Sequence, residues 1–282
     1  MRVDVVTIFP GFFQSIFENG ILRRALAEGL VSVEVHDLRA FTHDRHRTVD
    51  DRPFGGGEGM VLKPGPLAEA LASLGVEPKA LRAQAQSAPP QVAQVVLLSA
   101  QGQPFTQAVA RQIAKLDRVV MICRRYEGVD ERINELYCDM ELSIGDYVIS
   151  GGELAAAVVI DAAMRLVPGV LGNESSSEFE SFGVADAEIE DEQAGVPRSQ
   201  HGAGGILDYP HYTRPAEFGG LHVPEPLLNG DHLAIRRWRR QQQLRKTLAN
   251  RPDLLENAAL SKEDLKLLEA IRRERGPGIS DQ

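Results

Sequence analysis

The sequence has few cysteines, no long hydrophobic run and no phosphate-binding glycine signature, and each shortage excludes a kind of protein. Its 282 residues contain two cysteines, Cys123 and Cys138, whose spacing fits neither a disulfide framework nor a zinc site. No stretch reaches the roughly 18 consecutive apolar residues of a membrane helix, and the N-terminus lacks the features of a signal peptide. We therefore expect a cytoplasmic protein with no membrane partner and no metal ligands.

Glycine is plentiful, yet the common nucleotide-binding signatures are missing. The chain has 26 glycines, but none of them forms G-x-G-x-x-G or a P-loop. An NAD-dependent oxidoreductase would have the right broad fold class and therefore gains little support. With 43% hydrophobic and 25% charged residues, the composition is that of a globular protein with room for one large domain or two ordinary ones.

The first half of the chain alternates strand and helix patterns. Short apolar or alternating runs typical of strands occur in RVDVVTIF, VSVEVHDL, QVVLLS and RVVMIC. Helical spacing of apolar residues occurs in FFQSIFENGILRRALAEG, PGPLAEALASLG and FTQAVARQIAKL. This alternation predicts an α/β domain with a mostly parallel sheet.

Composition and charge change near Gly172. Residues 172–204 are acidic and rich in glycine and serine, which predicts a flexible linker. Residues 231–251 carry a single acid and a basic cluster made of Arg236, Arg237, Arg239, Arg240, Arg245, Lys246 and Arg251. We therefore divide the chain into a domain at 1–171, an acidic linker at 172–204 and a small helical domain at 205–282.

Three predicted strands end in glycine-containing turns. These are LLSAQG at 97–102, ICRRYEG at 122–128 and SIGDYVISGG at 143–152. In a parallel α/β sheet the carboxyl ends of the strands collect at one edge, where loops and backbone amides form a ligand crevice. We expect the three turns to share one site, although for any single turn a glycine that only permits a tight bend is an equally good interpretation.

An ordered series of motifs identifies a family. HDRHRTVDDRPFGGGEGM at 43–60 and RYEGVDERI at 125–133 are followed by GDYVISGGEL, PGVLGNE, HYTRP at 211–215 and IRRWRRQQQLRKT at 235–247. The series closely resembles the TrmD family of bacterial tRNA (guanine-N1)-methyltransferases, of the SPOUT class. The resemblance covers nearly the whole chain apart from residues 75–93 and 183–204.

The resemblance implies a fold, a cofactor and partners. The fold would be a SPOUT-type parallel sheet with a deep trefoil knot, plus a small all-helical C-terminal domain, in a homodimer whose active site is shared between protomers. The knot would hold S-adenosylmethionine, and the substrate would be the anticodon stem-loop of tRNA, methylated on N1 of guanine 37, just 3′ of the anticodon. By motif position, the cofactor-binding residues are Leu98, Ser99, Gln101, Gly102, Arg124, Glu127, Gly128, Ser143, Ile144, Gly145, Asp146, Tyr147, Val148, Ile149, Gly151 and Gly152.

Methylation of guanine N1 requires two catalytic groups. N1 carries a proton and is a poor nucleophile, so a base must remove the proton and a cation must stabilise the charge that moves onto O6. The resemblance assigns the base to Glu180, where the family has aspartate, and the cation to Arg165. It also suggests Mg²⁺ at O6, although no recognisable metal motif is present. By pattern alone, Glu180 is one acid in a solvated run, and Arg165 would pair with Asp161 inside an apolar helix.

The basic helix and the HYTRP motif predict the RNA contacts. Four arginines flank Trp238 in RRWRR, an array suited to neutralising phosphates. The predicted RNA-binding residues are His211, Arg214, Arg236, Arg237, Arg239 and Arg240. A basic amphipathic helix is also compatible with an exposed face that binds nothing, and Trp238 with a place in the core of the small domain.

Arg124 departs from the family, which has glycine at this position. If the backbone there needs a positive φ, arginine costs roughly 1 to 2 kcal/mol, and its side chain must point away from the cofactor. A second hypothesis follows from this departure. In it, the chain is a knotted tRNA-binding protein whose cofactor binding is impaired by Arg124.

Overall fold

A computed structural model of the chain describes residues 1–84, 93–172, 176–183 and 203–275. It divides into two compact units, Met1–Gly172 and Asn173–Gln282. Most of the predicted linker at 172–204 and part of the predicted surface excursion at 75–93 lie outside the described residues.

The first unit is built on a parallel sheet. In chain order its strands are β1 (Arg2–Thr7), β2 (Ser32–Asp37), β3 (Asp50–Asp51), β4 (Val61–Leu62), β5 (Gln94–Pro104), β6 (Arg118–Cys123), β7 (Gly128–Val129) and β8 (Met140–Ser143). Five of them form the central sheet in the order β2-β1-β6-β5-β8, and each neighbouring pair is parallel. The predicted α/β class with a mostly parallel sheet is therefore confirmed.

Helices pack against both faces of this sheet. The helices of this unit are α1 (Gln14–Phe17), α2 (Gly20–Ala27), α3 (Pro64–Ser73), α4 (Lys79–Gln84), α5 (Gln107–Ala114), α6 (Glu131–Tyr137) and α7 (Gly152–Met164). Alternate residues of β6 belong to different cores, since Val119 and Met121 join one apolar cluster and Val120 and Ile122 the other. This alternation is the pattern of a strand buried on both sides.

One predicted helix is interrupted. The sequence predicted a single helix over FFQSIFENGILRRALAEG, whereas the chain forms α1 and then α2, which begins at Gly20 with a φ of 63° after an extended Asn19. A left-handed residue cannot continue a right-handed helix, so apolar spacing alone missed the break.

The second unit is small and mainly helical. Its elements are α8 (Ser176–Phe179), the hairpin strands β9 (Glu217–Phe218) and β10 (Leu221–His222), and the helices α9 (His232–Asn250), α10 (Asp253–Glu256) and α11 (Lys262–Arg275). The buried side chains of its core are Ile206, Leu244, Leu268 and Ile271. The short hairpin is a feature that the prediction of an all-helical domain did not contain.

Side-chain caps fix the starts of both long helices. Asp231 accepts from the backbone N–H groups of Leu233 (2.9 Å) and Ala234 (3.1 Å) at the start of α9. The predicted capping box before α11 is present, since Asp264 N–H donates to Ser261 Oγ (3.1 Å) and Ser261 N–H donates to Asp264 Oδ2 (2.9 Å).

The described part of the predicted linker is tied to the second unit. Phe182 N–H donates to the carbonyl of Ile206 at 2.9 Å, and Gly205 N–H donates to the carbonyl of Gly183 at 3.0 Å. Residues 176–183 therefore form hydrogen-bonded structure, which differs from the free linker predicted from their composition. In the part of the chain that the structure describes, no helix is both long and apolar enough to span a bilayer.

Candidate functional site

A cleft with about 500 Å³ of empty volume opens where β5, β6 and β8 end. Its walls come from the three turns that the sequence analysis expected to share one site. The predicted cofactor residues that line it are Leu98, Ser99, Arg124, Ser143, Ile144, Gly145, Tyr147, Val148, Ile149, Gly151 and Gly152. The carboxyl edge of a parallel sheet is the usual ligand position in α/β folds.

The other predicted cofactor residues lie beside the cleft: Gln101, Gly102, Glu127, Gly128 and Asp146. Gln101 N–H donates to Ser99 Oγ at 3.1 Å, and the carbonyl of Glu127 accepts from Arg124 at 3.0 Å. These two residues therefore position side chains of the wall.

Gly102 has a packing role. A β-carbon at this position would lie 2.5 Å from the carbonyl carbon of Glu141 in β8. The pairing of β5 with β8 also shifts register between Leu98 and Gln103. Glycine at 102 thus allows β5 to continue past the irregularity and against β8.

Some residues of the wall were not predicted: Ala100, Arg125, Tyr126, Leu142, Ser150 and Ala155. All except Ala155 belong to the three turns or their strands. The complete turns therefore predict the lining of the cleft better than the matched motif positions do. Ala155 lies one helical turn into α7, and only the packed structure reveals that it faces the cleft.

The double glycine where α7 begins lets two chain segments meet. Gly152 N–H donates to the carbonyl of Arg124 at 2.8 Å, and Gly151 forms an antiparallel bridge with Arg125. A β-carbon at Gly152 would lie 2.8 Å from the Cα of Cys123, and one at Gly151 would collide with the Arg125 side chain. Side chains are excluded here because the backbone after β8 presses against the end of β6.

A buried ion pair holds this junction. Glu153 is 1% exposed, binds Arg125 Nη2 at 2.8 Å and accepts from Thr7 Oγ1 at 2.6 Å. Arg125 also donates to the carbonyl of Ser150 at 3.0 Å, and its guanidinium lies 4.6 Å from the centre of the Phe9 ring. The floor of the cleft is therefore preorganised by contacts among β1, β6 and α7.

Arg124 has an unstrained backbone. The described non-glycine residues with positive φ are Arg47, Tyr126 and Phe182, so the strain considered for Arg124 does not arise. Its guanidinium donates to Ser99 Oγ at 2.8 Å and to the carbonyl of Glu127 at 3.0 Å. It lines the cleft and is anchored along the wall by these two hydrogen bonds, so its direction relative to a bound cofactor stays a prediction.

Arg165 follows α7 directly and is partly buried. Its N–H donates to the carbonyl of Asp161 at 3.3 Å. The helix is not buried on every side, since Leu154 and Val158 are 50% and 47% exposed and Asp161 lies exposed on the same face. Asp161 is therefore not internal in the single chain, and its pairing with Arg165 stays a prediction.

Glu180 belongs to the second unit, next to α8. Its side chain is partly buried, and its carbonyl accepts from Gly183 N–H at 2.9 Å. The neighbouring Ser181 Oγ accepts from Asp208 N–H at 3.0 Å. Glu180 is thus held in a turn of defined structure.

Most of the predicted RNA-binding residues are accessible, with one exception. His211, Arg214 and Arg237 are exposed, and Arg236 and Arg239 are partly exposed. His211 Nε2 lies 3.0 Å from Asp208 Oδ2.

Arg240 is the exception and corrects the prediction. It is 7% exposed and binds both carboxylate oxygens of Asp264, at 2.7 and 3.0 Å. A buried guanidinium with both edges engaged in this way is a core residue of the small unit and does not contact phosphate.

One group of potential metal ligands occurs among the described residues, formed by Asp4, Glu34 and His36. Arg2 and Arg118 both bind the Asp4 carboxylate at 2.9 Å. Burial raises the pKa of Asp4, but the hydrogen bonds from Arg2, His36 and Arg118 outweigh it and hold that pKa below its usual value. The carboxylate is already neutralised by arginine, so this group does not fit a divalent cation.

Comparison with known proteins decides the family. A family model described as tRNA (Guanine-1)-methyltransferase TrmD matches residues 1–257. The chain belongs to the TrmD family. The SPOUT-type α/β class predicted for it is thereby confirmed, and the trefoil knot stays a prediction.

Relatives of this TrmD-family chain match it over almost their full length. A protein of Koribacter versatilis is 53% identical over 96% of this chain and 98% of its own. One of Dehalococcoides mccartyi is 47% identical over 98% and 99%, and one of Syntrophotalea carbinolica is 46% identical over 99% of both. Each of these relatives is named tRNA (guanine-N(1)-)-methyltransferase.

Proposed function

We propose that this chain is a cytoplasmic, S-adenosylmethionine-dependent methyltransferase that modifies N1 of guanine 37, just 3′ of the anticodon, in tRNA. The observation that carries the proposal is the match over almost the whole chain to relatives with that tRNA guanine-N1 activity in their names. The glycine-lined cleft supports it because the reaction needs a binding site for a methyl donor.

The lining of the cleft fits the chemistry of S-adenosylmethionine. The turn after β8 lines the cleft with backbone that would bind the adenosine, and Leu98 and Ile149 supply apolar contacts. The bound donor supplies a methyl group on a positively charged sulfur.

Two side chains of the protein would act on guanine. The Glu180 carboxylate takes the proton from N1, and the lone pair left on N1 accepts the methyl group while the bonding electrons stay with sulfur. Arg165 donates hydrogen bonds to O6, where negative charge accumulates during the transfer. The products are N1-methylguanine, an uncharged thioether and a protonated Glu180. No step is assigned to Mg²⁺.

We also propose a homodimer with an active site shared between protomers. Leu154 and Val158 present apolar surface on α7, and Val148 in the cleft loop is 88% exposed. Exposed apolar side chains of this kind are typical of interfaces. Burying this surface against a second copy would remove it from water beside the residues proposed to bind the donor.

The test is methyl transfer from S-adenosylmethionine to unmodified tRNA. We expect Glu180→Gln to lower kcat by about 10²- to 10⁴-fold, the usual contribution of a general base, because the amide keeps the size of the side chain but does not accept the proton. Glu180→Asp should keep most of the activity. Glu217→Gln, an exposed acid of the same unit, is the matched control and should leave kcat unchanged.

The substrate base offers a second arm of the same test. tRNA in which the guanine 3′ of the anticodon is replaced by adenine should accept no methyl group. Incorporation that is independent of that base would contradict the proposal.

A further inference from the structure

The second unit contains a cavity with about 830 Å³ of empty volume. It lies between the HYTRP segment, the stretch around Leu227 and the first turns of α9. The rings of Tyr209, Tyr212 and Trp238 form part of its wall, together with aliphatic side chains such as Ile235. None of the described residues that line it is acidic, and it shares no residue with the cleft of the first unit.

The rings give the cavity a fixed floor and an open wall. Tyr209 is 4% exposed, with the Arg239 guanidinium 4.8 Å from its ring centre and the His211 ring also at 4.8 Å. Tyr212 is 49% exposed, and its ring lies 6.1 Å from that of Trp238 at an angle of 60°. A half-exposed aromatic face held by a neighbouring ring is a preformed stacking surface.

The charges around the cavity favour a polyanion. Arg214 lines it and is exposed, and Arg239 lines it with its guanidinium 4.8 Å from the centre of the Tyr209 ring. Planar apolar groups between negative charges are the chemistry of single-stranded nucleic acid.

We infer that this cavity receives one unstacked nucleobase of the tRNA loop, which stacks on Tyr212 and Trp238 while Arg214 neutralises an adjacent phosphate. The inference rests on the proposed function, since it takes tRNA as the substrate. Because every base has an aromatic face, such a site supplies affinity and holds the loop open without strong preference for one base.

Trp238 is the only tryptophan of the chain, so its fluorescence reports directly on the cavity. We expect an RNA hairpin carrying the anticodon loop to quench this fluorescence, and a fully paired RNA duplex of equal length not to quench it. Stacking contributes roughly 1 to 3 kcal/mol per base, so Tyr212→Ala should weaken hairpin binding by about 5- to 100-fold. Tyr212→Phe, which keeps the ring, should bind like the unaltered protein.

Two controls separate stacking from folding and from charge. Phe218→Ala removes an aromatic ring of the same unit that is 79% exposed and outside the cavity, and it should leave hairpin binding unchanged. Arg214→Ala should weaken binding and reduce the dependence of log affinity on log salt concentration by about one phosphate contact. Tyr212→Ala should leave that salt dependence unchanged.

Three results would overturn the inference. The first is unchanged hairpin affinity in Tyr212→Ala, and the second is equal quenching by the duplex. The third is Trp238 fluorescence that falls as the protein concentration rises in the absence of RNA, which would mean that a second copy covers the cavity. The titration contains no methyl donor. Normal quenching by a protein that transfers no methyl group would therefore support the base site while sinking the proposed function.

Discussion

The cleft of the first unit is shaped mainly by backbone, and the cavity of the second unit mainly by side chains. The cleft depends on backbone, because Gly151 and Gly152 allow the chain after β8 to press against the end of β6. The cavity depends on side chains, chiefly Tyr209, Tyr212 and Trp238. The shape of the cleft is therefore fixed by sheet topology and is sensitive to side-chain atoms added at the two glycines. The shape of the cavity depends on how the small unit packs.

Buried arginine–carboxylate pairs stabilise both regions. Glu153 and Arg125 lock the junction beneath the cleft, and Arg240 and Asp264 join α9 to the start of α11. In each unit an arginine that could be taken for a ligand-binding residue, Arg125 or Arg240, stabilises the fold through its carboxylate partner. This shows why an arginine-rich motif does not by itself identify which arginines meet RNA.

The largest effect should come from breaking the Arg240–Asp264 pair. The two side chains are 9% and 7% exposed, and removing one partner of a buried pair costs about 3 to 5 kcal/mol. We expect Asp264→Asn to lower the free energy of unfolding of the second unit by that amount. Glu263→Gln removes the exposed partner of Arg237 and should cost less than about 1 kcal/mol.

Thermal and urea unfolding, followed by circular dichroism, measure the free energy of unfolding of both variants. Similar losses in Asp264→Asn and Glu263→Gln would contradict the assignment.

The same pair predicts an acid transition. Burial raises the pKa of Asp264, but hydrogen bonding and charge from Arg240, with hydrogen bonds from Ser261, outweigh it and lower that pKa. The resulting stability is present above the unfolded pKa and lost as pH falls through the folded one.

A smaller effect should follow from filling the glycine junction. A β-carbon in Gly152→Ala would meet backbone atoms of Cys123 and Arg124, at 2.8 and 2.9 Å. Overpacking of this kind costs roughly 1 to 3 kcal/mol, so S-adenosylmethionine should bind about tenfold or more weakly in calorimetric titration. Gly65→Ala, where an added β-carbon meets nothing within 4 Å, is the control; equal affinity in both variants would sink the backbone account of the cleft.

The sequence carried the sheet and the cleft because both follow from local signals. Apolar runs that alternate with helices predict a parallel sheet, and parallel strands bring their end turns to one edge. The capping box formed by Ser261 and Asp264 was equally local.

The small unit was harder to predict. Arg240 lies on the helical face of the buried Leu244 and Thr247, one and two turns before them. This spacing is typical of a buried residue, but the positive charge led to a prediction of RNA contact. The aromatic cavity joins Tyr212 to Trp238 across an intervening hairpin, and no local periodicity brings these rings together. The hydrogen bonds that hold residues 176–183 also come from a distant segment.

The smallest expected effect concerns Arg124, and its measurement tests the central claim most directly. S-adenosylmethionine should be titrated calorimetrically into the unaltered protein and into Arg124→Gly. Because Arg124 is unstrained and anchored to Ser99 and Glu127, we predict that both proteins bind the donor, with affinities that differ by only a few-fold, roughly the worth of a partly exposed hydrogen bond. Binding by the variant alone would contradict the account, since the natural chain would then be a tRNA-binding protein that has lost its methyl donor.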